Sequence, residues 1–185
     1  MTTLSIYPDD DSGRRDTFTD FDEIVDQLGK AGVQLEKWQI DKPLSADADQ
    51  EEVLTAYKNE ITRLNSQYGF QSVDVISLRP DNPKKSEMRQ KFLNEHTHAD
   101  FEVRFFVEGQ GLFYLHINGK VMAVLCTQGD LISVPANATH WFDMGENPDF
   151  KCIRFFTTAD GWVGNFTGSE IAKQFPDFDS YVRSV

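Results

Sequence analysis

The change of hydrophobic period near residue 70 is the feature that most constrains the fold of this chain. From there on, the apolar residues come in short runs rich in β-branched and aromatic side chains, and turn-forming residues separate them. The runs are SVDVISL, FEVRFFV, LFYLHI, VMAVLC, DLISVPA and KCIRFFT. Asn118 and Gly119, between the third and fourth runs, predict a tight hairpin because both turn positions need positive φ. Many short strands with even turn spacing are typical of a closed barrel or a two-sheet jelly roll, so we predict a mainly β fold.

Helical patterns occur mostly before residue 70. The first predicts a short helix that starts at Thr19 or Asp20 and stops at Gly29. The second, within residues 45–70, follows the cap candidates Ser45 and Asp47 and predicts one amphipathic helix. Its apolar residues recur at three- and four-residue steps: Leu54, Tyr57, Ile61, Leu64 and Tyr68. We therefore expect residues 1–185 to form a single domain, with a helical preface (1–70), a β-barrel (71–160) and a tail (161–185) that holds one short helix and an extended end.

The charge of the chain limits its partners. Eighteen basic residues face thirty acidic ones, so the formal charge is −12. Such a surface repels phosphate backbones and anionic membranes, which argues against nucleic-acid binding and membrane binding. The chain lacks a long apolar run and a secretory signal pattern, so we expect a cytoplasmic protein, and the charge favours a monomer. Cys126 and Cys152 lie inside apolar strand-like runs, where we expect free thiols rather than a disulfide.

Two histidines separated by one threonine mark the first candidate site. Side chains alternate faces along a strand, so residues of equal parity point the same way. The polar residues share even numbers: His96, His98, Glu102 and Arg104. The odd-numbered residues of 101–107 are all apolar. Buried polar groups need a partner, and a divalent metal would satisfy three of these side chains at once.

A fourth candidate ligand lies further along the chain. His140 starts a strand after a turn that follows Pro135. His116, beside the hairpin, is better explained as a surface or barrel-wall residue than as a ligand. Three imidazoles and one carboxylate leave two adjacent positions free on an octahedral metal, which suits iron, nickel, cobalt or manganese rather than tetrahedral zinc.

The two histidine segments resemble the two cupin motifs. His96-Thr-His98-Ala-Asp-Phe-Glu102, followed by six residues and Gly109, is similar to the first motif, and the segment from Gly129 through Pro135 to His140 is similar to the second. Their order and spacing, with the helix-rich preface, more narrowly resemble the acireductone dioxygenases of methionine salvage. The resemblance covers nearly the whole chain and is strongest over residues 92–162. Two positions depart from the general pattern, at which Asn137 replaces a glycine and Met144 replaces an asparagine.

The resemblance implies a cupin-type double-stranded β-helix with peripheral helices, and it implies a reaction. His96, His98, Glu102 and His140 would bind Fe²⁺ or Ni²⁺, with Co²⁺ or Mn²⁺ as substitutes. The substrates would be O₂ and the acireductone 1,2-dihydroxy-3-keto-5-methylthiopentene. With iron the products are 4-methylthio-2-oxobutanoate and formate; with nickel they are 3-methylthiopropanoate, formate and carbon monoxide. The sequence does not choose between the two metals, because the same ligands serve both.

Further side chains are candidates for the substrate pocket. Arg104 lies on the ligand face two residues past Glu102, and we assign it the catalytic role of stabilising the deprotonated substrate. The other candidates flank the motifs: Arg154 as a second cation, Phe92, Phe142 and Trp162 as an apolar slot for the methylthio tail, and Glu95 as a residue that supports a ligand imidazole.

Two other classes of function remain open at this point. One is a different metal enzyme on the same barrel, such as another dioxygenase or a sugar-phosphate isomerase. An isomerase would need a cluster of lysines and arginines, and the motif strands offer mainly Arg104 and Arg154. The other is a non-catalytic metal-binding or sensing cupin. Such a protein normally carries a DNA-binding segment, and the acidic N-terminal part has no basic recognition helix.

Overall fold

The computed structural model describes residues 1–42, 44–158 and 163–185. Eleven strands form in these ranges: β1 (Thr3–Pro8), β2 (Asp16–Phe18), β3 (Gln34–Lys37), β4 (Ser72–Leu78), β5 (His96–Thr97), β6 (Glu102–Ile117), β7 (Lys120–Thr127), β8 (Asp130–Val134), β9 (Thr139–Asp143), β10 (Phe150–Phe156) and β11 (Asn165–Phe166). The helices are α1 (Phe21–Gly29), α2 (Gln50–Ala56), α3 (Lys58–Tyr68), α4 (Lys85–Leu93) and α5 (Phe178–Val182), with a 3₁₀ helix at Ile171–Gln174. No helix among the described residues is long and apolar enough to cross a membrane.

The strands form two antiparallel sheets that share β6. The first sheet has the order β11-β5-β9-β6-β7-β1-β2, and the second has the order β4-β10-β6-β8-β3. The N-terminal half of β6 pairs with β8 and β10, whereas its C-terminal half pairs with β7 and β9. The arrangement confirms the predicted mainly β jelly roll. The tight hairpin is also confirmed, since Asn118 and Gly119 have φ of 53° and 70°.

A β-bulge in β6 lets one strand serve both sheets. Lys151 of β10 pairs with Glu108, but the next residue, Cys152, pairs with Phe106, so Val107 is extra. An extra residue reverses which parity faces inward. Close by, Gly109 has φ of 72°, and a Cβ there would lie 1.9 Å from the carbonyl oxygen of Asp149. The bulge explains why two predicted strands, FEVRFFV and LFYLHI, are one strand of sixteen residues.

Helices cover the outer faces of both sheets. On the second sheet, Tyr57 and Leu64 from the α2–α3 region pack against Val103, Phe105 and Ile153. The apolar odd-numbered face predicted for residues 101–107 is therefore the outer face, beneath these helices. The even-numbered face of this segment, which includes Phe106, points into the barrel. Beyond the bulge, the odd-numbered Phe113 belongs to the same core between the sheets.

The C-terminal segment covers the outer face of the first sheet. Tyr181 and Phe175 pack there against Tyr114 and Trp141, whose rings stack at 4.8 Å. The expected extended end is wrong, because the chain forms α5 there, and the side chain of its N-cap residue, Asp177, accepts a hydrogen bond from the Ser180 N–H. This cap satisfies a backbone donor that a short helix otherwise leaves open.

The single helix expected over residues 45–70 is wrong. The chain forms α2 and α3, and Tyr57 ends the first and precedes the second. The N-cap is Asp49 rather than Ser45 or Asp47, because Asp49 and Glu52 form a reciprocal capping box. Tyr57 is buried, with its ring edge-on to Phe105 at 5.0 Å. The break between α2 and α3 therefore occurs at a residue, Tyr57, that packs against the second sheet.

The first seventy residues are also less helical than expected. They supply β1, β2 and β3, of which β1 pairs with β7 and β3 pairs with β8. These pairings join residues far apart in sequence, so the local pattern of the preface does not indicate them. Helix α4 was not expected either, because its sequence KSEMRQKFL has few apolar residues.

Cys126 and Cys152 are free thiols inside the core, as predicted, and burial raises the pKa of Cys152 to about 12.

A buried lysine holds the loop before α2 against the second sheet. The Lys151 side chain is 1% exposed, and its ammonium donates hydrogen bonds to the carbonyl oxygens of Ala46 (3.2 Å) and Ala48 (3.0 Å). A carboxylate oxygen of Glu108 lies 3.6 Å from it. Ala46 and Glu108 also accept hydrogen bonds from Arg79, so Lys151 and Arg79 together join this loop to the second sheet.

Replacing Lys151 with methionine should destabilise the fold by about 2–4 kcal/mol, because buried acceptors lose a charged donor that an isosteric thioether does not replace. Urea unfolding followed by circular dichroism measures the change. The matched control is Lys120→Met, at an exposed lysine that starts β7. Equal stabilities of the two variants would contradict this role for Lys151.

Candidate metal centre

Three imidazoles converge inside the barrel. His96 in β5 and His140 in β9 are direct partners across neighbouring strands, and His98 follows the end of β5. The ring centroids of His96 and His140 are 4.4 Å apart, and His98 lies 4.9 and 5.0 Å from them. One ring nitrogen from each histidine lies within 4.8 Å of the others. All three side chains are buried.

Backbone carbonyls fix the orientation of each ring. The Nδ1–H of His96 donates to the carbonyl oxygen of Asn94 at 2.7 Å, and that of His98 donates to Val163 at 2.9 Å. His140 donates in the same way to Ala138 at 2.9 Å. A carbonyl oxygen only accepts, so Nδ1 must carry the proton in each ring. The lone pair of each Nε2 is therefore available for a metal.

Glu102 adds a carboxylate to the cluster. Its Oε2 atom lies 3.0 Å from Nε2 of His98 and 3.3 Å from Nε2 of His140. Burial opposes ionisation of Glu102, but the charge of Arg104 and the contacts with His140 and His98 outweigh it, so its pKa is well below the ordinary value. Glu102 is therefore an anionic oxygen donor.

The pKa values of two of the imidazoles are shifted in opposite directions. Burial lowers the pKa of His96 to about 4, and the neighbouring His140 is the second cause of this shift. The His96 ring is therefore neutral near pH 7. Burial also opposes the charged form of His98, but the hydrogen bond to Glu102, the negative charge of Glu102 and the backbone hydrogen bond to Val163 together outweigh burial, so the pKa of His98 is raised. Three imidazole nitrogens and one carboxylate oxygen form a donor set that suits a divalent transition metal. Of the donor atoms described, none is a thiolate, because both cysteines lie elsewhere in the core.

The candidate ligands do not lie on one strand, so equal parity does not by itself bring the histidines to Glu102. Strand β5 ends at Thr97, and β6 starts at Glu102 in the other sheet. The turn before β9 supports the intervening chain, since the Asn137 N–H donates to the His98 carbonyl oxygen at 2.8 Å. Asn137 has φ of 60°, a conformation that favours glycine and that asparagine tolerates better than most residues. This explains how asparagine replaces the glycine of the general motif.

Arg104 lies beside the ligands in an aromatic pocket. Its Nε atom is 2.7 Å from Oε1 of Glu102, and its side chain is 3% exposed. The guanidinium carbon lies 4.8 Å from the ring centroid of Phe142, 5.3 Å from Phe113 and 5.5 Å from Phe92. The structure thus brings together three side chains singled out in the sequence. Phe113 was missed, because the bulge in β6 changes the parity that faces inward.

The second arginine has a different partner. Arg154 is the register partner of Arg104, so the two start from the same face of the second sheet. Its guanidinium donates to both carboxylate oxygens of Asp74, at 2.8 and 2.6 Å. It also lies over the ring of Phe156 at 5.3 Å. Of the contacts described, none joins Arg154 to a ligand imidazole.

Glu95 supports a histidine outside the ligand cluster. Its buried carboxylate accepts a hydrogen bond from the Thr167 hydroxyl at 2.7 Å and lies 2.9 Å from Nδ1 of His116. Nε2 of His116 is 3.3 Å from Asp9, and this half-buried ring does not belong to the cluster of three imidazoles. Among the described contacts of Glu95, its imidazole partner is therefore His116. Trp162, the remaining candidate, lies outside the described residues.

A jelly-roll barrel with three buried imidazoles and a carboxylate at its sheet junction defines a metal-binding protein of the cupin class. Residues 3–164 match the model of the ARD/ARD′ family. The acireductone dioxygenase of Aquifex aeolicus is 56% identical over 99% of this chain and 100% of its own length. That of Methylococcus capsulatus is 51% identical over 99% of this chain and 98% of its own length.

A solved structure, acireductone dioxygenase from Bacillus anthracis with a cadmium ion in its active center, is also similar. It superposes with a TM-score of 0.80 at 33% identity and covers 90% of this chain and 98% of its own. This chain therefore belongs to the ARD/ARD′ family, whose members are metal-dependent dioxygenases.

Proposed function

We propose that this chain is an acireductone dioxygenase that uses O₂ to cleave 1,2-dihydroxy-3-keto-5-methylthiopentene in methionine salvage. The observation that carries the proposal is the convergence of three oriented imidazoles and the Glu102 carboxylate beside the buried Arg104. The names of the similar proteins support the same reaction. One divalent metal would bind to the set made of His96, His98, Glu102 and His140.

The metal would supply a Lewis acid that holds two neighbouring oxygens of the enediol. The chain's own groups do the rest of the positioning. The carbonyl acceptors of the Nδ1 protons keep each Nε2 directed at one point, and Glu102 adds a negative charge. The cadmium ion in the Bacillus anthracis protein supports a divalent metal at this site. We infer Fe²⁺ or Ni²⁺ as the metal in use.

Arg104 provides the positive charge that the substrate needs. The deprotonated enediol carries two negative charges, and the chain as a whole carries −12. A divalent ion with Glu102 leaves a net charge of one, and the guanidinium supplies the second positive charge. Because the pocket around Arg104 is lined by aromatic rings, its field is weakly screened. Arg104 thus favours the dianion and stabilises negative charge during cleavage.

The aromatic residues next to Arg104 form the apolar part of the pocket. Phe92 and Phe142 lie edge to face with ring centroids 6.1 Å apart. We infer that they receive the methylthio tail, while the oxygens of the substrate lie toward the metal. The roles around this pocket that the sequence predicts for Trp162, Glu95 and Arg154 stay predictions.

Oxygen uptake tests the proposed function. Protein stripped of metal and reloaded with Fe²⁺ or Ni²⁺ should consume one O₂ per acireductone, and the stripped protein should not. A protein that binds metal stoichiometrically but leaves acireductone and O₂ unchanged would exclude this function and favour a non-catalytic metal-binding barrel.

Exchange of the metal should change the products without changing the substrate. The same four ligands hold either ion, so the dianion binds in the same place, and the iron form should yield the 2-keto acid and formate. The nickel form should yield 3-methylthiopropanoate, formate and carbon monoxide. Product analysis of both forms by NMR, with metal content verified, measures this. Identical product mixtures would show that the metal does not control the outcome in this chain.

The cytoplasmic location and the monomeric state stay predictions from the sequence. Cell fractionation tests the first, and light scattering of the purified protein tests the second.

A further inference from the structure

Helix α4 closes one side of the aromatic pocket with little packing of its own. None of its nine residues is buried. Met88 and Phe92 are half-buried and pack against the core between the sheets, and Phe92 lies next to Phe142 and Arg104. Helices held by few apolar contacts open more easily than the core. Something other than apolar burial must therefore contribute to holding Phe92 in place.

A buried carboxylate on the neighbouring strand supplies that contact. Asp143, at the end of β9, is 1% exposed and accepts two hydrogen bonds from Arg89 of α4, at 2.7 Å from Nε and 3.0 Å from Nη2. It also accepts from the N–H groups of Gly145 at 3.0 Å and Phe178 at 2.8 Å. Bidentate pairs between arginine and a carboxylate have a fixed geometry and are among the stronger hydrogen-bonded contacts in proteins. The hydrogen bonds to Asp143 also raise the pKa of Arg89.

The location of this pair connects it to the site. Asp143 is adjacent to Phe142 and three residues after His140 on the same strand, while Arg89 is one turn before Phe92 on α4. Residues three apart on a helix lie on neighbouring parts of its surface. The pair therefore fixes α4 to the strand that carries both an aromatic wall of the pocket and a metal ligand.

We propose that Arg89 and Asp143 are positioning residues that latch α4 over the barrel and keep Phe92 in the substrate pocket. The inference rests on the proposed function for its substrate, but the latch itself exists in the protein without substrate. Neither residue touches the metal ligands' ring nitrogens in the described contacts. They act through Phe92.

The latch predicts a specific pattern of kinetics. If loss of the ion pair lets α4 populate open states, only a fraction of the free protein can bind substrate, and the apparent affinity falls by that fraction. Saturating substrate restores the closed state. KM for the acireductone should therefore rise about tenfold while kcat stays within about twofold, and the bound metal should remain stoichiometric.

Arg89→Met tests this in the metal-loaded enzyme, with Arg89→Lys as the conservative variant and Lys91→Met as the matched control. Lys91 lies on the same helix in an exposed pair with Glu87, so its loss should leave both constants unchanged. Arg89→Lys should restore part of the KM. A fall in kcat with loss of metal, or an unchanged KM, would contradict the latch.

Combining Arg89→Met with Phe92→Ala shows whether the pair acts through Phe92. The two substitutions should be non-additive, because the latch has nothing to position once the ring is gone. Additive increases in KM would overturn this route of action.

Hydrogen exchange tests whether Arg89 and Asp143 hold α4 in place, and this test does not depend on acireductone being the substrate. Backbone amides of α4 should exchange faster in substrate-free Arg89→Met than in the Lys91→Met protein, while core strand β7 should be unaffected. Equal exchange in α4 of the two variants would overturn the latch, and absent turnover by the parent enzyme would instead overturn the proposed function.

Discussion

His140→Ala is expected to empty the metal centre and abolish oxygen-dependent turnover. His140 contributes one of three converging imidazoles, and the Nε2 of this ring lies 3.3 Å from the Glu102 carboxylate. Mutation of a residue that only hydrogen-bonds to a metal ligand costs roughly 10–100-fold in metal affinity or activity. The loss of the ligand itself should cost more. Metal analysis after dialysis, together with an oxygen electrode, measures both effects.

The control for this variant is His116→Ala. This histidine lies in the barrel wall and binds Glu95 and Asp9 rather than the ligands. It should retain stoichiometric metal. If the His140→Ala protein also keeps a full complement of metal, His140 is not a ligand, and the assignment of the site must change.

Arg104→Ala is expected to keep its metal and lose about 10²–10³ in turnover, the usual cost of removing a preorganised charge partner. The guanidinium is buried beside Glu102 among three aromatic rings, so bulk solvent cannot replace its charge. Anaerobic addition of acireductone should also fail to give the spectral shift of the deprotonated substrate. Stopped-flow absorbance and steady-state oxygen uptake measure the two effects.

Arg63→Ala is the matched control for the loss of an arginine. Arg63 is exposed on α3, where it pairs with Glu36 and stacks on Trp38. Its removal should leave the spectral shift and turnover unchanged. Near-normal turnover and normal dianion formation in Arg104→Ala would make Arg104 a structural residue and would refute the charge balance described above.

The proposed ligand set follows from signals that are local in the sequence. Equal parity brings Glu102 and Arg104 to one face of β6, and the structure places their side chains 2.7 Å apart. The segment from Gly129 to His140 contains a turn. Gly129 and Asn137 have positive φ in this segment, and both residue types accept that conformation. Metal ligands are also chemically distinctive, so a few of them suffice for the inference.

The parts that the sequence did not indicate depend on contacts between distant residues. The parity of the inward face changes at a bulge opposite Lys151 and Cys152, so Phe113 was not recognised as a wall of the pocket. The carbonyl of Val163 orients His98 from 65 residues away, and no side-chain pattern marks a backbone acceptor. Helix α4 carries too few apolar residues for a periodic signal. Arg89 and Asp143 look like ordinary surface charges until the fold pairs them.

A single turnover under ¹⁸O₂ tests the central claim most directly. Iron-reconstituted protein is mixed with acireductone under labelled oxygen, and formate and the 2-keto acid are analysed by mass spectrometry. A dioxygenase that cleaves the bond between the two enediol carbons should place one labelled oxygen in the carboxylate of each acid, while His140→Ala should give neither product above the uncatalysed background. Unlabelled acids, or labelled acids formed equally well by the metal-free variant, would contradict the account.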